Sequence, residues 1–577
     1  MPATSASEAD IRPWLANYPS GIEWDAPLDD TPVHERVLTT CARQPHDLAL
    51  DFLGKRMTFA QLAQAIEAFA GALQQKFGVT KGTRVALMLP NTPFYVIAYF
   101  GVLRAGGTVV NCNPLYAVGE VEHIMQNAKA KLIVTLDLTI LFEKVEKLIT
   151  RGYDAQVIAC HFPQALPTAK SILYTLFKGR ELTKVSASPI AARVTWFADL
   201  VSLKAKPTPV TIDRRNDVAV QQYTGGTTGL PKGAMLSHAN VASNLSQIVA
   251  WGGGVFTPPA RVAAVLPFFH IFAMTTCMNI PLSRGIPVIM LPRFEMRAFL
   301  DMMTRTGASI LLAVPTLIHA LAKSGDKHRA KLGSITLVVS GGAPLSDEIR
   351  REWKVVSPAR LAEGYGLTEA SPVVCCAPLL EDSSTVRSMS IGQPLPGTDI
   401  RFVDVDSGEV VALGERGELQ VRGPQVMLGY FDDPEASQAA FQDGWLRTGD
   451  VGYMDEQGFV FLVDRIKDLI ICSGFNVYPR TIEEAIARHP AVDENNVIGV
   501  PDEYRGEAPV AFVKLRDGAT AAPSEIKAFL EDRLSKIEMP REIIFRDSLP
   551  KTLIGKLSKK ELREEYKQMK AAKREQA

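Results

Sequence analysis

Through "MTFAQLAQAIEAFAGALQQ" the apolar side chains recur every three or four residues, so that Leu62, Ile66, Phe69 and Leu73 fall on one face of a helix. Thr58 and Gln61 precede that face at the spacing of a capping box, which sets where the helix begins. The period then changes. "RVALMLP" is a short apolar run, "PFYVIAYFGVLRAGG" has helical spacing stopped by glycine, "TVVNCNP" is another short run, and "VGEVEHIMQNAKAKLIVTL" reads as helix and then strand. Strand-length apolar runs alternating with helices predict a parallel sheet covered by helices, because a strand buried on both faces loses its polar alternation.

Further along, "GELQVRGPQVMLGYF" and "GFVFLVDRIKDLIICSG" predict short twisted strands separated by Gly and Asp. After them "TIEEAIARH" is helical, "VIGVPD" and "APVAFVKL" are strand-like, and "SEIKAFLEDRLS" is helical again. A separate small α+β domain fits this last stretch, with the charged "DRIKD" as its linker. No fixed-period repeat is found.

Composition narrows the class. A length of 577 residues corresponds to roughly three to five domains, or fewer large ones. The 46% apolar content is ample for real cores, and a formal charge of +0 gives no basic stripe for nucleic acid. "MPATSASEADIRPW" has neither a basic nor an apolar leader region, and no long apolar run is free of polar breaks, so a soluble, unexported, cytoplasmic protein is expected. The cysteines at 41, 112, 160, 277, 375, 376 and 472 lack metal-ligand or disulfide spacing; Cys375 and Cys376 read as small buried apolar residues.

"YTGGTTGLPKG", from Tyr223 to Gly233, is the first stretch that suggests chemistry, set in front of a run that reads as helical. Glycines let backbone N–H groups turn toward an anion, threonine hydroxyls add donors and Lys232 adds a charge, which suits a polyphosphate. It is not a Walker A loop, since Pro231 precedes Lys232 and Gly233 follows it. The same composition also suits a tight hairpin. In "EGYGLTEAS", Tyr365 can stack on a base, and Thr368 and Glu369 supply a hydroxyl and a hard carboxylate for phosphate and Mg²⁺; a glycine-punctuated turn reads the same way. Asp450 and Arg465 in "GWLRTGDVGYMDEQGFVFLVDRIKD" suit a ribose, or an ordinary surface ion pair. Lys556 follows Gly555 in "LPKTLIGKLSKKELR", where lysines are also commonly just solvated charge.

These segments, in this order and with "SGGAPL", "DGWLRTGD", "DRIKDLI" and "SGFNVYP", resemble the adenylate-forming superfamily of acyl-CoA synthetases, firefly luciferase and peptide-synthetase adenylation domains. The resemblance runs from about Trp24 to the charged tail. Within it, "GPQVMLGYF", "PFFHIFAMT" and "RAGGTVVNCNPLY" are most similar to bacterial long-chain fatty acyl-CoA synthetases, whereas peptide-synthetase domains carry an Asp where this chain reads "PFFHIFA". The resemblance implies an α/β fold: a large N-terminal domain (1–463) of two α/β subdomains plus a distorted β-barrel, a hinge (464–469), and a small mobile C-terminal α+β domain (470–577). It implies two half-reactions, in which a fatty-acid carboxylate attacks the α-phosphate of Mg·ATP and the thiol of coenzyme A then displaces AMP. It also implies roles residue by residue. Thr224, Gly225, Gly226, Thr227, Thr228, Gly229 and Lys232 match the phosphate loop, with Thr228 among the catalytic groups. Gly342, Ala343, Glu363, Gly364, Tyr365 and Gly366 match the adenine pocket, Thr368 the α-phosphate contact, Glu369 the Mg²⁺ carboxylate, and Asp450 with Arg465 the ribose pair. Lys467 matches the hinge, Lys556 the adenylation lysine and Gly474 the coenzyme A side. His270 matches an acyl-pocket position near the carboxylate, and equally fits a satisfied core histidine. Two departures stand out: Arg480 and Thr481 follow "VYP" where an acidic residue is common, and Ser558 and Lys559 stand where arginine is common.

The expected partners are therefore a long-chain fatty acid, ATP and coenzyme A, with Mg²⁺ as cofactor. A medium-chain or aryl acid, or transfer of the acyl group to a carrier protein, is the alternative activity. A nucleotide sensor without catalysis would be expected to lack Lys556 or Glu369, and both are present. Oligomeric state is left open, a homodimer included. In "PTAKSILYTLFKGRELTK", Ile172, Leu173, Leu176 and Phe177 share a helical face ringed by Lys170, Lys178, Arg180 and Lys184. That pattern fits both a helix packed on its own domain and one resting peripherally on the inner face of the plasma membrane.

Overall fold

The computed structural model describes residues 12–224, 231–324, 329–380, 387–472, 475–502, 504–551 and 557–575. Thr58 caps the helix Phe59–Phe77 as its sequence predicts: its hydroxyl accepts from the Gln61 N–H at 3.3 Å while Gln61 Oε1 accepts from the Thr58 N–H at 2.9 Å. Leu62, Ile66, Phe69 and Leu73 are all fully buried. The strands that follow are parallel neighbours, with Val85 opposite both Val109 and Leu132. Between them the helix Pro93–Arg104 is buried from Pro93 to Leu103, because it lies in the middle of the large domain with no solvent side.

Two large sheets frame the N-terminal part. An eight-stranded sheet runs in the order Gly429–Tyr430, Lys232–Ser237, Val218–Thr224, Thr108–Asn111, Arg84–Met88, Leu132–Leu136, Gln156–Cys160 and Val194–Trp196. A nine-stranded sheet runs from Gln393–Pro394 through Arg360–Gly366, Ile310–Ala313 and Val262–Ala264 to Leu48–Phe52 and Lys55–Thr58. One continuous apolar core spans both. Where the resemblance places a distorted barrel, an antiparallel sheet joins Asp399–Val403, Gly417–Arg422, Trp445–Met454, Phe441–Gln442 and Val460–Arg465. The C-terminal part has its own cores around Ile470, Val497, Ala511 and Phe512, on a sheet centred on Gly506–Leu515.

The structure departs from the sequence pattern at two places. The run after Lys232 is first a strand, Lys232–Ser237, and only then the helix His238–Trp251; the strand pairs antiparallel with Val218–Thr224, placing Thr224 opposite Lys232. Gly429–Tyr430 does not join its sequence neighbours but adds to the edge of the eight-stranded sheet, opposite Met235 and Ala234. All seven cysteines are buried and free. Among the described residues no helix is long and apolar enough to cross a membrane.

The fully buried Ile66 and the partly exposed cap Thr58 support one helix in different ways. Ile66→Ala should destabilise the N-terminal part by about 2–5 kcal/mol through cavity formation, and Thr58→Ala by about 1 kcal/mol through the lost cap. Denaturant unfolding followed by circular dichroism checks this; equal shifts for the two variants would contradict it.

Candidate active site

The parallel strands of both large sheets end at a cleft of ≈ 1620 Å³, which also meets the antiparallel sheet and the C-terminal domain. Its floor is set by hydrogen bonds between the sheets. Asn91, just past the strand Arg84–Met88, accepts from the Phe268 N–H at 2.7 Å and donates to the Leu266 carbonyl at 2.8 Å. The Tyr95 hydroxyl donates to Asn111 at 2.7 Å and lies 2.9 Å from the Phe268 carbonyl, while Gln222 accepts from Asn111 at 2.8 Å and donates to the Phe269 carbonyl at 2.9 Å. Buried amides of this kind must be satisfied, so the segment 266–269 is held in one conformation.

The polar end of the cleft gathers several of the residues singled out in the sequence. Residues 225–230, which include Gly225, Gly226, Thr227, Thr228 and Gly229, lie outside the described residues; the strands that flank them bring Thr224 and Lys232 to the cleft lining. A side chain at 233 would collide with Gln221 and Tyr223, since an added Cβ would sit 2.7 Å from the Gln221 amide. Lys232 lies 3.9 Å from Asp433 and 5.4 Å from the Tyr430 ring centroid. Tyr430 donates at 2.8 Å to one carboxylate oxygen of Glu369, and burial followed by that carboxylate pushes the Tyr430 pKa up. Thr368 and Glu369 form one short helical turn on this wall.

Gly342, Ala343, Gly364, Tyr365 and Gly366 line the adjoining wall. Gly342 has φ +82°, and a Cβ at 366 would meet the Pro372 carbonyl at 2.0 Å, so both positions favour glycine. Glu363 also borders the cleft, but its carboxylate is committed elsewhere: Arg350 donates to it at 2.5 Å and the Leu345 N–H at 3.2 Å. Burial raises its pKa, and Arg350 opposes that rise. Asp450 and Arg465 are cross-strand partners, with Arg465 Nε 2.9 Å from Asp450 Oδ1 and the Tyr365 hydroxyl donating to Asp450 Oδ2 at 2.5 Å. Burial, then the Asp450 charge, drives the Tyr365 pKa well up.

The other end is apolar. His270 begins the short helix Ile271–Ala273, its Nδ1 accepting from the Phe272 N–H at 3.4 Å, and a π-helical turn Met274–Asn279 follows. Phe269, His270, Phe272 and Thr276 line the cleft here, and the lining continues to Ile248, Trp251, Phe256 and Leu379. Trp251 is fixed by donating to the Ala377 carbonyl at 3.0 Å. No motif in the sequence marks this wall: Trp251 ends the helix His238–Trp251, Phe256 lies in the loop after it, and both also pack into the apolar core.

From the C-terminal side, Lys467 sits on the short turn Ile466–Asp468, its pKa lowered by burial and then by Arg465. Lys556 and Gly474 lie outside the described residues, but Leu557 and Ser558, directly after Lys556, line the same cleft as Thr368 and Asp450. The two sequence departures serve the junction between domains. Arg480 donates to the Leu462 carbonyl and to Glu484, both at 2.9 Å, and its N–H donates to Asp464 at 2.8 Å. Lys559 lies 3.1 Å from Glu483 and 4.0 Å from Asp464. Further out, His319 and Lys323 of the N-terminal domain meet Asp493 of the C-terminal one, which also pairs with Lys514 at 2.7 Å; Arg516 reaches Glu348.

Burial would raise the Asp493 pKa, but Lys323 and Lys514 outweigh it and hold it at about 2. A carboxylate whose folded pKa is depressed stabilises the folded contact above its ordinary value near 3.8 and loses that contribution as pH falls toward 2. The domain junction should therefore weaken in that window in the native chain and change less there in Asp493→Asn. Limited proteolysis between the domains as a function of pH checks this; identical acid profiles for both would contradict it.

The model of the AMP-binding enzyme family matches residues 37–431, and that of the AMP-binding enzyme C-terminal domain matches residues 481–556. The chain is 40% identical over 555 residues to a long-chain-fatty-acid–CoA ligase of Bacillus subtilis (strain 168), covering 96% of this chain and 98% of that protein. It is 39% identical over 564 residues to a protein of the same name from Yersinia pestis, with the same coverage of both. The fold is similar to that of ATP-bound MatB from Rhodopseudomonas palustris, with a TM-score of 0.80 and 31% identity over 93% of this chain and 99% of that one. The chain belongs to the AMP-binding enzyme family.

Proposed function

We propose that this chain is an AMP-forming long-chain-fatty-acid–CoA ligase. The observation that carries the reading is the continuity of one cleft, from a polyanion end at Thr224, Lys232, Thr368 and Glu369 to an apolar wall at Ile248, Trp251 and Phe256, with the His270 segment between. ATP and a fatty acid placed in it meet head to head. The carboxylate oxygen attacks the α-phosphorus, the bond to the bridging oxygen breaks and pyrophosphate leaves; the coenzyme A sulfur then attacks the acyl carbon and AMP leaves. Work of this kind is mostly positioning and charge stabilisation. Lys232 and the Thr224 hydroxyl hold the phosphates, while Asp450 and Arg465 face the ribose and Tyr365 the adenine. Glu369 fits an Mg²⁺ site: one carboxylate in a cleft that receives phosphates suits a cation that is shared between protein and nucleotide. When bound, that ion would neutralise phosphate charge.

The reading includes the domain plan 1–463, 464–469 and 470–577, with the turn at Lys467 as hinge. The Arg480–Leu462 contact crosses that hinge and the Lys559–Asp464 contact reaches its first residue; with Leu557 and Ser558 in the cleft, this reading assigns both to the first half-reaction and has them part in the second. The C-terminal face that then reaches the cleft serves coenzyme A, the role that the motif match gives Gly474. Burying a sixteen-carbon chain gives on the order of 10 kcal/mol at about 0.8 kcal/mol per methylene, yet one methylene discriminates only about 10-fold to 200-fold, so chain-length preference is broad. Because such acids partition into bilayers, the reading places the enzyme in the cytoplasm and at the inner membrane face.

AMP release measured with acids from acetate to octadecanoate, with and without coenzyme A, tests the substrate. Dodecanoate and longer acids should be faster than acetate or coumarate, and AMP turnover should require coenzyme A. Preference for either small acid would sink the long-chain reading, and turnover with a carrier protein in place of coenzyme A would favour the acyl-transfer alternative. Lys556→Ala should slow ATP/pyrophosphate exchange by about 10²-fold to 10³-fold, the usual loss for one transition-state contact, while thioester formation from supplied acyl-adenylate changes little. Near-native exchange in that variant would remove Lys556 from the first step.

A further inference from the structure

The helix Thr168–Lys178 contains no buried residue. Ile172, Leu173, Leu176 and Phe177 are between 53% and 81% exposed, whereas Tyr174, on the opposite side, packs edge-on against Phe162 with ring centroids 5.1 Å apart. At about 100° per residue the four apolar side chains share one face, pointing away from the domain. The reading of this segment as a helix packed on its own domain therefore holds only for its Tyr174 side.

Charge distinguishes the kinds of occupant. The chain as a whole is neutral, but residues 167–184 carry Lys170, Lys178, Arg180 and Lys184 against one acid, Glu181. That acid is already taken by Lys178 at 3.0 Å and by the Tyr174 hydroxyl at 2.7 Å. Lys170 donates to the Leu53 carbonyl at 2.8 Å and Lys55 to the Gln164 carbonyl, so the hairpin Leu48–Thr58 stands alongside and brings the exposed Arg56 to the same region. Apolar side chains projecting from a basic rim suit a bilayer surface: the rim meets anionic headgroups and the apolar face enters the acyl boundary.

We infer that the helix Thr168–Lys178, with its basic rim, docks this protein peripherally on an anionic lipid bilayer, the phase into which its acid substrate partitions. This rests on the long-chain reading of function only for its purpose; the surface is independent of the cleft. Docking delivers substrate but takes no part in chemistry, so it affects turnover on bilayer-held acid and not on dissolved acid.

Co-sedimentation of the full chain with vesicles tests it. The native protein should bind vesicles of phosphatidylcholine and phosphatidylglycerol more than vesicles of phosphatidylcholine alone, and added salt should weaken the binding. The double variant Leu176→Glu, Phe177→Glu should lose about 10-fold or more in binding, since burying even one such side chain is worth at least that factor. Arg180→Glu with Lys184→Glu should lower binding to the anionic vesicles alone. Both variants should turn over dissolved octanoate like the native protein but slow down on vesicle-held palmitate. Absent binding by the native protein, or equal binding by the apolar variant, overturns the proposal. So does a change of elution volume in size exclusion with vesicle binding intact, which would make the face a protein contact. Failure of the native protein to form any acyl-CoA would instead count against the functional reading.

Discussion

The structure depends on a buried set of amides between two sheets. Asn91, Asn111 and Gln222 stand at the strand ends of the eight-stranded sheet, and each is bonded, directly or through Tyr95, to the backbone of 266–269, which leaves the nine-stranded sheet. In a low-dielectric interior an unpaired amide costs about 1–3 kcal/mol, so the two sheets have one favourable arrangement and the cleft between their strand ends has one shape. His270 inherits its position from that constraint, because it follows the fixed segment directly.

A second constraint operates at the domain junction. The contacts there are mostly charged: Arg480 and Lys559 around Asp464, and His319 and Lys323 on Asp493. Interfaces held by partly buried ion pairs are weaker than apolar ones, because the gain from pairing is largely offset by lost hydration. The apolar cores of the two domains are separate, so the junction between them rests on these charged contacts.

The outer helix Thr168–Lys178 follows the opposite logic from the rest of the chain. Elsewhere an apolar helical face is matched by a buried surface, as for Phe59–Phe77; here the same periodicity leads out to solvent beside a concentration of positive charge. Periodicity defines a face but does not say what covers it.

Local physics made much of this legible in the sequence. The capping box at Thr58 and the alternating helices and parallel strands follow from side-chain spacing, which acts over a few residues. The order of the motifs carried the family. Tertiary structure decided what depends on distant partners. Asp450 and Arg465, matched to one ribose by motif, are joined in a direct ion pair by antiparallel register, and Glu363, a nucleotide residue by motif, has its carboxylate occupied by Arg350. Gly429–Tyr430 left its neighbours to pair with Met235, and Trp251, which no motif marks, is a core residue that also borders the cleft. Arg480, a departure in sequence, became a strut between domains. In each case the deciding contact joins residues far apart in the chain, and a pattern that repeats every two or four residues carries no record of it.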